Sequence, residues 1–149
     1  MYRGEILMEA LQVEIEQRLR DLCTNTSSEF SAIATVDQES QTIRWEYAYG
    51  FTNNRYKNMV IRPGKGLSGS VVRFGTTMIL DINTPNRQKT RLQYPIMLAE
   101  NLVSAAAVPI HSNGKVCAVL LIGSRSEVIY TTEHIELLKR VANELSALT

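Results

Sequence analysis

The chain has 149 residues, of which 44% are hydrophobic and 21% are charged, and its formal net charge is +1. These proportions are ordinary for a folded soluble protein and exclude a disordered tail, a collagen and a coiled-coil rod. No apolar run approaches the roughly 18 residues that a membrane span needs, and the acidic first segment is unlike a signal peptide. We therefore expect a cytoplasmic protein of one domain, residues 1–149, with no membrane contact.

Charge is distributed unevenly along the chain. Between Tyr47 and Ala99 there are eight basic residues and a single acid, Asp81, so this centre carries +7 and the two ends together carry −6. A basic centre favours an anionic ligand or an acidic partner. Solvated bases in loops would give the same pattern.

The first predicted element is an amphipathic helix. Apolar residues recur at spacings of three and four, as on one face of a helix, at Met8, Leu11, Ile15, Leu19 and Leu22. Two alternating runs follow, Phe30 to Val36 and Ile43 to Tyr49, and they predict a hairpin of two strands. In the second strand, Ile43, Trp45 and Tyr47 are expected on one face.

The middle of the chain predicts short elements joined by loops. In order, we expect a loop at FTNNRYKN, a short strand at MVIRP, and a glycine turn leading into a helix of about two turns that Gly75 ends. A strand at TTMILDI, a basic loop at NTPNRQKTR and a short helix at LQYPIMLAEN follow.

Two strands and a helix close the chain. LVSAAAVPI and KVCAVLLIG are joined by Asn113-Gly114, a strong hairpin sequence, and Thr131 or Thr132 begins the last helix. Its apolar stripe is Ile135, Leu138, Val141 or Ala142, Leu145 and Leu148. The order predicts an α+β fold with a mainly antiparallel sheet. The two terminal stripes can pair with each other, with a second subunit in a homodimer, or with a helix of a signalling partner.

A glycine-rich turn is the main candidate site. Gly64, Gly66 and Gly69 match G-x-G-x-x-G, but Gly75 ends the helix too early and Asp81 follows too soon for dinucleotide binding. The first N–H groups of the helix, at Leu67, Ser68 and Gly69, have no partner within the helix and favour a small anion. Alternatively, the glycines serve only the packing of a tight turn.

Other site classes lack their sequence patterns. Cys23 and Cys117 lie far apart, as expected for reduced thiols, and neither they nor His111 and His134 have the spacing of a zinc site. No nucleophile motif or carboxylate pair indicates an enzyme, and nucleic-acid-binding motifs are missing. We expect no catalytic residue, metal, cofactor or nucleic acid.

Three segments together resemble the GAF domain family over nearly the whole chain. They are RPGKGLSGSVVRFGTTMILDI, SAAAVPIHSNGKVCAVLLIGS and YTTEHIELLKRVANEL. The resemblance implies one GAF domain with a central antiparallel sheet, the terminal helices on one face and a ligand pocket on the other. It also implies a sensor more often than a catalyst.

Within that family, WEYAYG, NNRYKNMVIRPGKGLSG and YPI resemble the stand-alone nitrate receptors that work beside an oxygen-responsive sensor histidine kinase. This implies nitrate, or a similar small anion, as the ligand. The implied donors are the amides around Gly66 and Gly69, namely those of Leu67 and Ser68, together with that of Ile96. The implied walls are Trp45, Pro63, Tyr94 and Pro95. Ser68 stands where alanine is expected, so its hydroxyl adds a hydrogen bond or shifts the anion preference.

The resemblance also implies a mode of regulation, and it leaves alternatives. Nitrate would order the loop from Arg87 to Tyr94, change how the terminal helices meet the kinase, and weaken the effect of the ligand-free receptor. The alternatives are a dimerisation or regulatory module for an amino acid or nucleotide, or a free methionine sulfoxide reductase. Against the reductase, the loops NNRYKNM and NTPNRQKTRLQY contain no cysteine.

Overall fold

A computed structural model describes the backbone of residues 2–148 and the side chains of residues 8–147, so Met1, Thr149 and the side chains of residues 2–7 and of Leu148 lie outside it. The elements are α1 (Tyr2–Thr26), β1 (Phe30–Asp37), β2 (Thr42–Tyr49), a 3₁₀ turn (Arg55–Asn58), α2 (Gly66–Phe74), β3 (Met78–Leu80), α3 (Arg87–Arg91), α4 (Pro95–Ala99), β4 (Ser104–Ser112), β5 (Lys115–Ser124) and α5 (Thr132–Leu148). The strands form one sheet in the order β2-β1-β5-β4-β3, and all its pairs are antiparallel. The predicted α+β class is confirmed.

The central strands are buried on both sides because different elements cover the two faces of the sheet. On one face, α1 and α5 pack over side chains that include Ile33, Leu120 and Ile122. On the opposite face, α2, α4 and the 3₁₀ turn pack over side chains that include Phe30, Trp45 and Leu121. The terminal helices therefore share one face, as predicted, and the second face is left for the candidate site.

The predicted stripe of α1 is confirmed from Leu11 onward but is wrong at Met8. Ile15, Leu19 and Leu22 are buried, whereas the side chain of Met8 is 73% exposed, so the packed part of α1 begins one turn later. Arg18 of α1 forms an ion pair with Glu144 of α5, and the two helices lie side by side. No helix within residues 2–148 is long and apolar enough to cross a membrane.

A β-bulge makes one prediction about β2 wrong. Ala34 pairs with Trp45, but its neighbour Ile33 pairs with Tyr47, so the register skips Glu46. Because a bulge adds a residue to one strand only, side chains beyond it change faces. Trp45 consequently lies with the α2 side of the core, whereas Tyr47 packs against the α1 and α5 side.

Three shorter predictions are also corrected. MVIRP forms no strand, because only Ile61 makes an isolated bridge, to Ile43. The strand expected at TTMILDI is reduced to Met78–Leu80. The segments expected as loops contain a 3₁₀ turn at Arg55–Asn58 and a helix at Arg87–Arg91.

Hydroxyl groups connect the end of α1 to the start of α5. Thr26 Oγ1 is 2.7 Å from Ser28 Oγ, which is 2.9 Å from the hydroxyl of the buried Tyr130. Thr131 then caps α5, since its side-chain oxygen accepts a hydrogen bond from the amide of His134 and the imidazole of His134 accepts one from the amide of Thr131. The start of α5 is therefore at the predicted position, and His134 has a structural role there.

The buried Tyr130 side chain is expected to make the protein less stable at alkaline pH. Burial raises its pKa from 10.0 to about 12. Between these values the unfolded chain ionises and the folded chain does not, so the free energy of unfolding should fall as pH rises, by up to roughly 2–3 kcal/mol. Denaturant unfolding of the native chain and of Tyr130→Phe across this pH range measures the difference. Equal slopes for the two proteins would contradict the prediction.

Candidate functional site

The candidate site begins at the glycine turn that leads from residue 62 into α2. Gly64 and Gly66 have φ values of +86° and +65°, in the left-handed region that glycine adopts without strain. The amide of Gly64 donates to the carbonyl of Gly69 at 2.7 Å, which closes the turn on the helix. Gly75 ends α2 in the left-handed conformation, with its amide bonded to Val71, as predicted.

Two buried amides at the start of α2 have no acceptor. The N–H groups of Leu67 and Ser68 make no hydrogen bond to any of the described residues, although these residues are only 2% and 1% exposed. Unpaired amides are normal at the start of a helix, but they are normally solvated, and leaving them buried and unpaired is unfavourable. They also carry the positive end of the helix dipole, so this turn favours an anion.

Two residues of the predicted site also have a buried side-chain group without a partner. These groups are the indole Nε1–H of Trp45 and the hydroxyl of Ser68, with no hydrogen bond to any group in the described residues. Trp45 belongs to the same packed cluster as Leu67, Tyr94 and Ile96. A buried polar group without a partner costs about 1–3 kcal/mol, so a ligand that pairs with these groups would recover that cost.

The segment from Tyr94 to Ile96 approaches the glycine turn from the other side. A Cβ atom placed on Gly66 would lie in van der Waals contact with Cδ of Pro95, at 3.6 Å, so the two segments approach each other closely here. The amide of Ile96 has no acceptor among the described residues. Burial raises the pKa of the Tyr94 phenol, which keeps this wall neutral.

An open cleft of about 750 Å³ lies outside this contact. Its lining residues are Val60, Ile61, Arg62, Pro63, Gly64, Lys65, Gly66, Gln93 and Pro95. The predicted site residues thus divide into two groups. Pro63, Gly66 and Pro95 line the cleft, whereas Trp45, Leu67, Ser68, Tyr94 and Ile96 are buried and do not line it.

Gly69 is needed for the packing of the turn. A Cβ atom at this position would lie 2.5 Å from the carbonyl oxygen of Arg62, too close for any real side chain. This close approach explains why the position requires glycine, and contact of Gly69 with an anion stays a prediction.

Replacing Gly69 with alanine is expected to destabilise the fold by roughly 1–3 kcal/mol, because the turn must move away from the added methyl group. Gly114→Ala is a suitable control, since nothing lies within 4 Å of that Cβ and only the cost of its positive φ applies. Thermal unfolding measures both variants. A smaller loss of stability for Gly69→Ala than for Gly114→Ala would contradict the prediction, because it would show that the turn moves away from the methyl group at little cost.

The bases of the central segment are partly structural. Arg91 donates to the carbonyl of Leu102 at 2.6 Å, and Arg87 pairs with Glu127 at 3.0 Å. The segment expected to become ordered on binding is thus already a helix, held by its own arginines. Arg62 and Lys65 line the cleft and give its mouth a positive charge.

Sequence reasoning missed a buried ion pair at the far end of α4. Glu100 is completely buried, and its Oε1 accepts hydrogen bonds from Arg125 at 2.8 Å and from the amide of Thr52 at 2.9 Å. Arg125 also donates to the carbonyl of Gly50 at 3.0 Å and pairs with Glu29 at 3.7 Å. This network joins α4, the loop after β2 and the turn between α1 and β1. The only hint in the sequence was a single acid that follows an apolar segment.

The cysteines lie away from the candidate site. Cys23 is in α1, and Cys117 is on the β5 face that packs against α1 and α5. Burial raises the pKa of both thiols, which disfavours the reactive thiolate. Within the described residues, no three His, Cys, Asp or Glu side chains are grouped so that they could hold a metal ion.

Comparisons with known proteins bear on this arrangement. The model of the GAF domain family matches residues 9–148. A search among curated proteins returned no match. Among solved structures, a form of the NreA protein of Staphylococcus aureus mutated in its nitrate binding site is 29% identical, with 80% of this chain and 91% of that chain covered and a TM-score of 0.71.

Two further solved structures are similar. A hypothetical protein from S. aureus is 30% identical, with 80% of this chain and 98% of that chain covered and a TM-score of 0.70. A type II free methionine-R-sulfoxide reductase from Thermoplasma acidophilum has a TM-score of 0.74, with 95% and 94% coverage. Since that enzyme is only 17% identical, it shows a shared fold alone.

Proposed function

This chain belongs to the GAF domain family, and we propose that it is a receptor for a small anion, nitrate above all, that modulates a partner sensor histidine kinase. The observation that carries the proposal is the set of buried donors without acceptors around the start of α2. The likeness to NreA, a protein with a nitrate binding site, supports nitrate as the anion.

The proposed donors suit a small anion whose atoms accept hydrogen bonds. Leu67, Ser68 and Ile96 offer backbone amides, and Trp45 offers its indole N–H. Hydrogen bonds to a charged group contribute roughly 1.5–3 kcal/mol each, so three or four of them would hold nitrate firmly once water is excluded. The buried side chains of Trp45, Tyr94 and Ile96 supply apolar and aromatic surroundings that would keep water away from such an ion.

The cleft offers the ligand a way in. Arg62 and Lys65 at its lining attract anions from solution, and salt screens this attraction over a Debye length of about 8–10 Å. The expected consequence is an association rate that falls with ionic strength, while the buried donors set the dissociation rate.

The network around Arg125 supports a connection to the kinase. Ile96, a proposed donor, lies in α4, and Glu100 directly follows that helix. Through Arg125, Glu100 is joined to Glu29, which follows α1. A shift of α4 on binding would therefore alter the packing of the terminal helices, the surface we propose for the kinase or for a second copy of the chain.

We propose a cytoplasmic protein without catalytic activity. The two thiols lie outside the candidate site, and burial disfavours their reactive form. No contact described above favours a methionine sulfoxide reductase, or a module that binds an amino acid or a nucleotide.

Thermal unfolding in the presence of nitrate, nitrite, chloride, cyclic nucleotides and methionine sulfoxide tests the proposal. A ligand at about 100 times its dissociation constant adds roughly 2.7 kcal/mol. We expect nitrate to raise the melting temperature by roughly 5–10 °C. A shift with cyclic nucleotides alone would replace nitrate by another ligand. A stable dimer without any shift would favour a dimerisation module, and turnover of methionine sulfoxide would show an enzyme.

A further inference from the structure

Ser68 carries the one side-chain group of the predicted site that is buried without a partner among the described residues and that can both donate and accept a hydrogen bond. It is 1% exposed and has no partner among the described residues. Ser70, two positions further along α2, differs because its hydroxyl donates to the carbonyl of Gly66 at 2.8 Å. The Ser68 hydroxyl is thus not used by the helix and remains available to a ligand.

The other groups proposed to bind the anion are donors only. Backbone amides and the Trp45 indole N–H carry a hydrogen atom and have no lone pair to offer. A site made only of such donors suits an ion whose oxygens all accept, such as nitrate. It disfavours an ion with an O–H group, since that hydrogen would be buried without an acceptor.

We infer that Ser68 extends the ligand range of this site to planar monoanions that carry a hydroxyl group, with hydrogencarbonate as the representative. The inference rests on the proposed anion-binding function. Hydrogencarbonate has the shape and charge of nitrate, but one of its oxygens is protonated. Ser68 Oγ belongs to a residue whose own amide is a proposed donor, so it lies within reach of the same ion. It accepts the hydrogen bond from hydrogencarbonate and donates one to nitrate.

The test compares dissociation constants of the native chain and Ser68→Ala for nitrate, formate and hydrogencarbonate by calorimetry. Hydrogencarbonate is measured at mildly alkaline pH, where it is the main form of dissolved carbon dioxide. Formate is planar and carries no hydroxyl group. We expect the ratio of the hydrogencarbonate to the nitrate dissociation constant to rise about tenfold or more in Ser68→Ala, with the formate to nitrate ratio nearly unchanged.

Ser31→Ala is the matched control, because Ser31 is equally buried but its hydroxyl donates to the carbonyl of Leu19 at 2.8 Å, under α1. Its ratios should equal those of the native chain even if its stability falls. If Ser68→Ala binds nitrate and its ratio of the hydrogencarbonate to the nitrate dissociation constant equals that of the native chain, the inference about Ser68 is wrong and the proposed function still stands. A native chain that binds none of the three anions would overturn the proposed function as well.

Discussion

Replacing Trp45 with phenylalanine is expected to weaken nitrate binding by roughly 10- to 100-fold, while the melting temperature without ligand changes by less than roughly 5 °C. Phenylalanine keeps most of the aromatic wall but removes the indole N–H, which has no acceptor within the described part of the chain. One hydrogen bond to an anion accounts for a loss of this size. Calorimetric titration with nitrate, beside thermal unfolding without it, measures both effects.

Phenylalanine is a more informative replacement than alanine here. Trp45 is 2% exposed and lies in the core, so alanine would cost about 3–5 kcal/mol of stability and confuse folding with binding. Tyr47→Phe is the matched control, since the bulge places Tyr47 on the opposite side of the sheet. Its affinity for nitrate should equal that of the native chain. An unchanged affinity in Trp45→Phe would mean that the anion is bound elsewhere.

Local patterns predicted most of the fold because they depend on neighbouring residues. Apolar spacing in α1 and α5 and the pair Asn113-Gly114 are properties of a few consecutive positions. The bulge at Glu46 was not predictable in this way, because it arises from how β2 meets β1 and not from β2 alone. The exposure of Met8 was not predictable either. Apolar spacing indicates which face of a helix is apolar, but not how far along the helix other elements cover that face.

The candidate site divides in a similar way. The glycine turn and the helix that Gly75 ends could be predicted, since positive φ values and helix ends have local sequence requirements. The pair of Glu100 with Arg125 could not, because its partners lie 25 positions apart and no spacing rule joins them. The role of Arg91 in holding α3 is not predictable for the same reason, so the sequence of this basic segment predicts a loop.

Replacing Arg125 with methionine is expected to destabilise the protein by about 3–5 kcal/mol, which corresponds to a fall in melting temperature of roughly 6–20 °C. The Glu100 side chain is 0% exposed, and its countercharge is the guanidinium 2.8 Å away. Methionine fills similar space without charge, so the carboxylate would remain buried without compensation. The carbonyls of Gly50 and Glu100 would also lose their donor.

Two further variants separate charge burial from simple loss of contact. The double variant Glu100→Gln, Arg125→Met no longer has a buried, uncompensated carboxylate at position 100. The glutamine side chain can still accept the hydrogen bond from the amide of Thr52, so the double variant should be more stable than Arg125→Met alone. Arg87→Met removes an arginine whose partner Glu127 is 52% exposed, and it should cost only about 0–1 kcal/mol. If Arg125→Met were no more harmful than Arg87→Met, Glu100 could not be a charged group buried against Arg125. The connection from α4 to the turn after α1 would then lose its physical basis.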